Sequence, residues 1–478
     1  MVERGTTVHY TERMVGITRY GSYVPVHRLE RRLIEQAWGA KQAKGEIAVA
    51  NYDEDALTMA IDAAMACLGD PPAPVAGAYF ASTSAPYAEK QMASVLATAC
   101  DLPRAIFTAD FAGSARSGVS ALLAALRAAQ AGAGQVLVAA ADVRLAAPDS
   151  ELEGVFGDGA AALTVGREGV IAELVDVASI AEEFTYHWRT DAQRTVQVAG
   201  GRFSNDFGYG RDLGAAIRAL LERQQLEPKA IHRLALGSPD ARASADLAKQ
   251  LGFDPTAQLV PSLQGEIGCT GSAEPLLLLA RALDEAGPGE LILVGGYGEG
   301  ADVILLRTTP AIAAGRAATP LARWLAARTP LASYEKLLKF RRLVEVEEVT
   351  DTVTNVLEYK ERKQDIRLYG SRCLECGQVQ YPMARVCIAC RAQERVEDAR
   401  LARRGAVFTF TVDHLIANLE HPLPMAVIDA DGGGRLYLQI ADADDIQIGE
   451  RVAFTYRRLH EGGGNRNYYW KARPIREG

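Results

Sequence analysis

The chain has 478 residues, which is too long for one ordinary hydrophobic core, so we expect about two or three domains. Hydrophobic residues make up 48% and charged residues 23%, as in a globular protein, and the net charge of −8 gives no global reason to expect nucleic-acid binding. No run of about 18 apolar residues predicts a membrane span, and the first residues lack the apolar core of a secretory signal.

The first two thirds of the chain show a repeating pattern. Residues 1–13 are predicted to form a disordered tail. From residue 14 to residue 310, short apolar runs alternate with Ala-rich segments of helical periodicity, such as Asp53–Cys67 and Ser117–Ala131. This alternation predicts helices packed against a mostly parallel sheet. The second part repeats the rhythm of the first, which suggests a duplicated α/β fold.

The pattern changes after residue 310. Residues 311–330 are interpreted as a connector, and ASYEKLLKFRRLV, residues 332–344, predicts an amphipathic helix that docks on the large domain. We therefore predict a large domain over residues 14–345, a helical lead-in with a metal ribbon over residues 346–400, and a last domain over residues 401–478.

The ribbon is predicted from four cysteines in CLECGQVQYPMARVCIAC. They form two Cys-x-x-Cys pairs with ten residues between them, a spacing typical of two knuckles that bind one metal ion. We predict a rubredoxin-like site for structural Zn²⁺ whose ligands are Cys373, Cys376, Cys387 and Cys390. Only three cysteines lie elsewhere in the chain, and this usage fits a reducing cytoplasm.

Short strand-like runs follow the ribbon, with a hairpin signal at residues 431–434. Five such runs in about 75 residues predict a small OB-type β-barrel. Its basic residues Arg403 and Arg404 are candidates for contacts with the phosphates of a ligand, and solvated surface charge is the alternative. Exposed aromatic residues on an OB barrel could also stack bases, but nucleic acid is the weaker interpretation.

Several segments of the large region carry a family likeness: VGITRYGSYVP, ASTSAPYAEK, DGAAALTVG, GSPDARASADLAKQLGF, GEIGCTGSA and LILVGGYGEGAD. Through them, residues 14–345 resemble the archaeal-type hydroxymethylglutaryl-CoA synthases of the thiolase superfamily. The ribbon and barrel resemble small zinc-ribbon/OB proteins that accompany acyl-CoA thiolases and synthases. This resemblance implies that the phosphates expected at Arg403 and Arg404 are those of CoA. The resemblance implies a thiolase-like duplicated layered fold, an acyltransferase that acts on acyl-CoA or acyl-carrier thioesters, and a homodimer.

The chemistry of that family uses a cysteine nucleophile, a glutamate and a histidine. The resemblance places Ala115 in GSARSGVSAL at the cysteine position, Thr83 in ASTSA at the glutamate position and Gly237 in GSPD at the histidine position. Cys269 in IGCTGS stands where the family has an asparagine. The resemblance therefore implies a retained scaffold without the family's catalytic set.

A non-standard site is the consequence of these departures. Cys269, on a loop flanked by glycines, could take an acyl group if its thiolate were stabilised, whereas a small polar filler is the favoured interpretation. A tyrosine could instead move protons without a covalent step, as aldol-type chemistry requires. The candidate catalytic residues are Cys269, Ser114, Thr83, Ser238 and Tyr297.

Three functions remain open from sequence. The leading hypothesis is an enzyme that forms or breaks a carbon–carbon bond, or transfers an acyl group, on a thioester; an aldolase-type lyase that cleaves β-hydroxyacyl-CoA is its close alternative. A second hypothesis is a catalytically silent acyl-CoA-binding scaffold for a partner thiolase or synthase. Binding of nucleic acid through the barrel is the third and is disfavoured.

Overall fold

The structure of the protein is a computed structural model that describes residues 14–238, 242–345, 355–415, 422–443 and 445–475. The predicted tail, residues 1–13, and residues 346–354 of the predicted lead-in lie outside the described residues. Within the described ranges, no helix combines the length and the apolar character needed to cross a membrane.

Fourteen strands lie in the large region. In chain order they are β1 (Gly16–Tyr23), β2 (His27–Glu30), β3 (Glu46–Val49), β4 (Gly77–Ala81), β5 (Phe107–Phe111), β6 (Val136–Asp142), β7 (Gly159–Gly166), β8 (Ala172–Ala181), β9 (His187–Trp188), β10 (Gln197–Val198), β11 (Arg233–Leu236), β12 (Leu291–Tyr297), β13 (Gly300–Thr308) and β14 (Thr329–Pro330). The helices are α1 (Arg31–Trp38), α2 (Ala56–Leu68), α3 (Met92–Ala99), α4 (Ser117–Gln130), α5 (Gly201–Ser204), α6 (Arg211–Gln224), α7 (Ala243–Gln250), α8 (Pro255–Gln258), α9 (Glu274–Glu285), α10 (Leu321–Ala326) and α11 (Tyr334–Phe340).

The main sheet has nine strands in the order β11-β12-β13-β8-β1-β7-β6-β4-β5. Its parallel pairs lie toward the two ends, at β11 with β12 and along β6, β4 and β5, and the pairs between them are antiparallel. The prediction of a mostly parallel sheet is therefore wrong. The reason is connectivity: β6 is joined to β7, and β12 to β13, without a crossover helix, and such consecutive strands run antiparallel.

The two ends of the sheet mirror each other. On one side the parallel strands β4 and β6 are followed by antiparallel β7, and on the other the parallel strands β11 and β12 are followed by antiparallel β13. The two halves meet where β1 pairs with β8. This arrangement agrees with the predicted duplicated α/β fold.

Helix α2 links the large region to the C-terminal region. Its N-terminus is fixed by a reciprocal cap, because Asp55 Oδ1 accepts from the backbone N–H of Thr58 at 3.1 Å and Thr58 Oγ1 accepts from that of Asp55 at 2.9 Å. Nearly all of its side chains are buried, and they share one apolar core with Phe454 and Trp470 of the C-terminal region. The C-terminal region therefore packs directly on the large domain.

Within the described residues, the C-terminal region consists of one helix and two small sheets, whose elements are as follows. They are α12 (Asn355–Asp365), β15 (Tyr369–Cys373), β16 (Val379–Gln380), β17 (Val396–Arg400), β18 (Arg404–Asp413), β19 (Leu423–Ala430), β20 (Arg435–Gln439), β21 (Arg451–Gly462) and β22 (Asn465–Pro474). The last five strands are antiparallel in the order β20-β19-β18-β21-β22, and a bridge between Ile440 and Ala472 links the two edges of this sheet. The predicted hairpin turn is confirmed between β19 and β20. The OB-type arrangement stays a prediction.

Candidate active site

A cavity of about 500 Å³ opens beyond the C-terminal ends of β4, β6, β11 and β12. This edge of the sheet is where α/β proteins commonly bind ligands. Seven residues that the sequence analysis singled out line the cavity: Thr83, Ser114, Ala115, Gly237, Ser238, Cys269 and Tyr297. The fold thus brings to one place the candidate residues and the three positions that the resemblance assigned to the family's catalytic residues.

Asp142, the last residue of β6, holds two walls of the cavity together. Its Oδ1 accepts hydrogen bonds from the backbone N–H and the hydroxyl of Thr83 at 2.7 and 3.0 Å, and its Oδ2 accepts from the backbone N–H of Ser272 at 2.7 Å. Gly271 has a φ of +59°, and a Cβ there would lie 2.4 Å from Asp142 Oδ2, so this close approach requires glycine. The Thr83 hydroxyl is therefore engaged in holding the wall.

Glu274, the first residue of α9, is a buried carboxylate in the cavity wall. Its Oε1 accepts from Gln264 Nε2 at 2.9 Å, and its Oε2 accepts from Cys269 Sγ at 3.3 Å and from the backbone N–H of Ser238 at 3.4 Å. Gln264 Nε2 also donates to the carbonyl of Ser238 at 2.7 Å. We call these four residues the Glu274 cluster, and the donors fix the carboxylate in one orientation.

The protonation states within the Glu274 cluster follow from burial. Burial raises the pKa of Glu274 to about 7, against the opposing effect of the hydrogen bonds from Gln264 and Cys269. Burial, and next the neighbouring Glu274, raise the pKa of the Cys269 thiol well above its usual range. At neutral pH, Cys269 is thus a protonated donor, and Glu274 is the group that can exchange a proton.

Gly237, which only the motif resemblance assigns to the family's histidine position, has no room for a larger side chain. A Cβ on Gly237 would lie 2.6 Å from Pro275 Cγ. Pro275 is the second residue of α9 and follows Glu274 directly, so the start of α9 fills the space beside Gly237. The start of α9 therefore leaves no space for a side chain at position 237 and places Glu274 in the cavity wall.

Two further candidate residues have different environments. Ser114 Oγ donates to the carbonyl of Gly298 at 3.1 Å, so it is directed at a backbone acceptor that cannot activate it as a nucleophile. Tyr297 is 7% exposed, and its hydroxyl has no hydrogen-bond partner among the described residues. Burial raises the pKa of Tyr297 above its usual range, which leaves a phenol able to donate to a ligand.

His187 also lines the cavity, and its ring packs against that of Tyr186 with 4.0 Å between the centroids and 35° between the planes. Burial, and next the charge of Arg144, lower the pKa of His187 to about 3. The imidazole is therefore neutral at physiological pH and does not replace the lost histidine as an acid.

Sequence reasoning missed four residues of this site: Glu274, Gln264, Asp142 and Arg144. Glu274 precedes a proline at the start of a helix, where an acidic residue is ordinary, so the sequence gives no sign that it is buried. Arg144 follows a buried strand by two residues and resembles any loop arginine. The weak signal for Glu274 is its position directly after the candidate segment GEIGCTGSA, five residues after Cys269.

The four predicted metal ligands converge as expected. The sulfur atoms of Cys373, Cys376, Cys387 and Cys390 all lie within 4.8 Å of one another, and Sγ of Cys373 is 3.6 Å from that of Cys390. A tetrahedral site with Zn–S bonds of about 2.3 Å requires sulfur separations of about 3.8 Å, so the donor set fits zinc. Four thiolates close the coordination sphere, which indicates a structural metal.

Removal of the metal should unfold the ribbon. We expect one zinc per chain, and expect Cys376→Ser to lose it and to lower the melting temperature, because metal binding supplies folding free energy to such small modules. Metal analysis and thermal melting measure both effects. Glu375→Gln, at an exposed position between two ligands, is the control and should keep the metal. A Cys376→Ser chain that retains one zinc and melts like the wild type would contradict this assignment.

The predicted CoA contact at Arg403 needs a correction. Arg403 is buried, its Nη2 donates to the carbonyl of Ala99 at 2.5 Å, and its guanidinium lies 4.5 Å from the ring centroid of Trp470. It is therefore packed between the C-terminal strands and the large domain and does not meet a phosphate. The sequence could not show this, because the docking of the two regions is a tertiary feature. Arg404 is exposed, and its contact with CoA stays a prediction.

Comparison with known proteins agrees with both regions. Residues 221–305 match the family model of the 3-oxoacyl-[acyl-carrier-protein (ACP)] synthase III C terminal, and residues 360–396 match the ChsH2 rubredoxin-like zinc ribbon domain. The hydroxymethylglutaryl-CoA synthase of Archaeoglobus fulgidus is 32% identical over 312 residues, which cover 63% of this chain and 90% of that protein.

Solved structures share the fold. MvaS in complex with 3-hydroxy-3-methylglutaryl coenzyme A superimposes with a TM-score of 0.62 at 21% identity, covering 71% of this chain and 94% of that chain. The HMG synthase of the curacin biosynthetic pathway, in complex with acetyl donor-ACP, gives 0.62 at 20% identity, covering 81% of this chain and all of that chain.

The mirrored nine-stranded sheet and the cavity at its strand ends define a protein of the thiolase superfamily. The match with the Archaeoglobus enzyme, at 32% identity over 90% of that protein, identifies the family within this superfamily. The chain belongs to the hydroxymethylglutaryl-CoA synthase family, and it carries a zinc ribbon and a β-rich region in addition.

Proposed function

We propose that the protein makes or breaks a carbon–carbon bond in an acyl-CoA or acyl-carrier thioester by proton transfer, without an acyl-enzyme intermediate. The observation that carries this proposal is Glu274, a buried carboxylate with a pKa of about 7 in the cavity that the vacated family positions line. A base whose pKa lies near the operating pH is the most effective proton-transfer group. The complexes of the related MvaS and curacin synthase with HMG-CoA and acetyl donor-ACP support a thioester ligand.

The chemistry follows from the environment of Glu274. In the cleavage direction, its carboxylate takes the proton of a β-hydroxyl group, the bond between the α- and β-carbons breaks, and the electron pair remains on the thioester as an enolate. The β-carbon leaves as a carbonyl, and Glu274 returns the proton it took to the α-carbon of the shortened thioester. The reverse sequence forms the bond. Cys269 and Gln264 hold the carboxylate in place by donating to it. The Tyr297 hydroxyl is available to stabilise developing negative charge.

The acyl-transfer alternative requires a nucleophile, and the surroundings of both candidates disfavour it. The Cys269 thiol donates to Glu274 and is held in its protonated form. Ser114 donates to a backbone carbonyl. Proton chemistry therefore has the stronger support among the functions that the sequence left open.

The proposal is tested by incubating the purified chain with a panel of acyl-CoA and β-hydroxyacyl-CoA thioesters. Free CoA, acyl chain length and the intact mass of the protein are followed together. We expect changes in chain length with no mass adduct. A thioester adduct that disappears in Cys269→Ser would overturn the proton mechanism in favour of covalent transfer. Tight binding with no turnover would instead identify a silent scaffold. The absence of both binding and turnover would refute the proposal.

The pH dependence of the reaction should report Glu274. Bond making and bond breaking both begin with a base, so kcat/KM should rise with pH and level off above an apparent pKa of about 7. The measurement is a pH–rate profile with the preferred thioester under conditions where the protein stays folded. A profile that is flat between about pH 5.5 and 8.5 would show that another group acts as the base.

A further inference from the structure

The loop between β4 and α3 forms one wall of the cavity and contains neither helix nor strand. Its first half is fixed to the end of β6, because the hydroxyls of Thr83 and Ser84 donate to Asp142 at 3.0 and 2.7 Å. In the part of the chain that the structure describes, residues 85–90 form hydrogen bonds only through the hydroxyl of Tyr87. Tyr87 lines the cavity, so its bonds decide where this part of the wall lies.

The partners of Tyr87 belong to the C-terminal region, at the tip of the hairpin formed by β21 and β22. The Tyr87 hydroxyl donates to Asn465 Oδ1 at 2.8 Å and accepts from the backbone N–H of Arg466 at 2.7 Å. Gly463 and Gly464 form the turn, with φ of +58° and +80°, the left-handed values that a tight two-residue hairpin turn of this kind requires. The turn therefore fixes the acceptor and the donor side by side in front of the phenol.

The same hairpin tip is connected to a second wall of the cavity. Glu461, near the end of β21, accepts from Arg342 Nη1 at 2.5 Å and from Arg466 Nε at 2.9 Å. The carbonyl of Arg342 accepts from Arg194 Nη1 at 2.7 Å, and Arg194 lies two residues before Val196, which lines the cavity. Two cavity walls from distant parts of the large domain thus meet one hairpin of the C-terminal region.

Docking of the C-terminal region does not depend on the tip of this hairpin. The two regions share an apolar core on α2, and the buried ion pair of Arg457 with Asp53 joins them. A cavity wall without bonds of its own samples several conformations, and ligand binding then includes the cost of ordering it. Contacts that order the wall in advance strengthen binding although they do not touch the ligand.

We propose that Asn465 and Arg466 are positioning residues: they hold Tyr87 in the cavity wall, so that the C-terminal region prepares the cavity for its ligand. The inference rests on the proposed function, because it takes a thioester as that ligand. In the described chain neither residue is part of the cavity lining, so their effect passes through Tyr87. Loss of these hydrogen bonds should therefore weaken binding and leave the proton chemistry at Glu274 in place.

A double-mutant cycle on ligand binding tests this inference. The probe is acetyl-CoA, and its Kd is measured by calorimetry for the wild type, Tyr87→Phe, Asn465→Ala and the double variant. We expect Tyr87→Phe to weaken binding by about tenfold and Asn465→Ala to weaken it less, because the N–H of Arg466 remains. The double variant should bind like Tyr87→Phe alone. Asn467→Ala, the same substitution two residues further along β22, is the control and should bind like the wild type.

Limited proteolysis of the ligand-free proteins gives a second readout. Lys90 is exposed and lies three residues after Tyr87, so tryptic cleavage after Lys90, followed by mass spectrometry, reports how firmly the loop is held. We expect this cleavage to be at least about threefold faster in Tyr87→Phe and in Asn465→Ala, and unchanged in Asn467→Ala.

The outcomes separate the two proposals. If Asn465→Ala leaves either the Kd or the cleavage rate at its wild-type value, the inference fails while thioester binding stands. It also fails if the two losses of affinity multiply in the double variant, because Tyr87 and Asn465 would then act independently. If acetyl-CoA does not bind the wild type, the proposed function fails, and the cleavage rates still decide whether the hairpin holds the loop.

Discussion

Replacement of Glu274 by glutamine should lower kcat/KM by about 10²–10⁴-fold, the usual contribution of a positioned general base. Glutamine keeps the shape of the side chain and can still meet Gln264, but it cannot accept the substrate proton. The loss should appear mainly in kcat, because the substitution leaves the rest of the cavity in place. Steady-state kinetics with the thioester preferred by the wild type measures it.

The matched control for this substitution is Glu266→Gln. Glu266 lies in the same connection before α9, but its carboxylate is half exposed and pairs with Arg281 at 3.2 Å. We expect its kinetics to equal those of the wild type. If Glu274→Gln retained full activity while folding normally, Glu274 would not be the base.

The second large effect concerns stability. Arg457→Met should lower the free energy of unfolding by about 3–5 kcal/mol, because it removes the cation from a fully buried charge cluster. Arg457 is 0% exposed and its guanidinium meets Asp53 at 3.2 Å, Glu54 at 2.9 Å and Asp442 at 2.6 Å. Without it, these acidic side chains share one enclosed space with fewer counter-charges. Urea denaturation, analysed for both midpoint and slope, measures the loss.

The cluster around Arg457 joins β21 of the C-terminal sheet to the segment before α2, so the substitution also tests how the two regions are held together. Arg451→Met is the control, because Arg451 lies on the same strand as Arg457 but forms an exposed ion pair with Asp431. Such a pair adds little to stability, and the urea midpoint should stay close to that of the wild type. An Arg457→Met chain as stable as the control would show that the buried charges do not join the two regions.

The sequence predicted elements and motif positions well, because both depend on local pattern. The helix predicted at Ser117–Ala131 is observed at Ser117–Gln130, and the spacing of four cysteines was sufficient for the ribbon. Strand direction was not predictable in the same way. It depends on which distant strands pair, and β1, from the start of the chain, enters the sheet between β7 and β8.

The catalytic chemistry was only partly visible in the sequence. The motifs pointed to residues around the cavity, and Thr83, Ala115 and Gly237 all line it. Their assignment to the family's catalytic positions stays a prediction. The groups that now dominate the cavity, Glu274 and Arg144, were hidden because their importance lies in burial. An acidic helix start and a loop arginine are ordinary in a sequence, and only tertiary packing removes them from water. Tertiary packing also explains why the prediction for Arg403 was wrong, because its side chain is buried and does not reach a ligand.

Hydrogen exchange at the substrate is the most direct measurement of proton transfer by Glu274. The acyl-CoA product is incubated with the protein in D₂O, and deuterium at its α-carbon is followed by mass spectrometry. We predict that the wild type exchanges these hydrogens at least about 10²-fold faster than Glu274→Gln, with no mass added to the protein. Equal exchange rates in the two proteins, or an acyl adduct on Cys269, would contradict proton transfer by Glu274 without an acyl-enzyme intermediate.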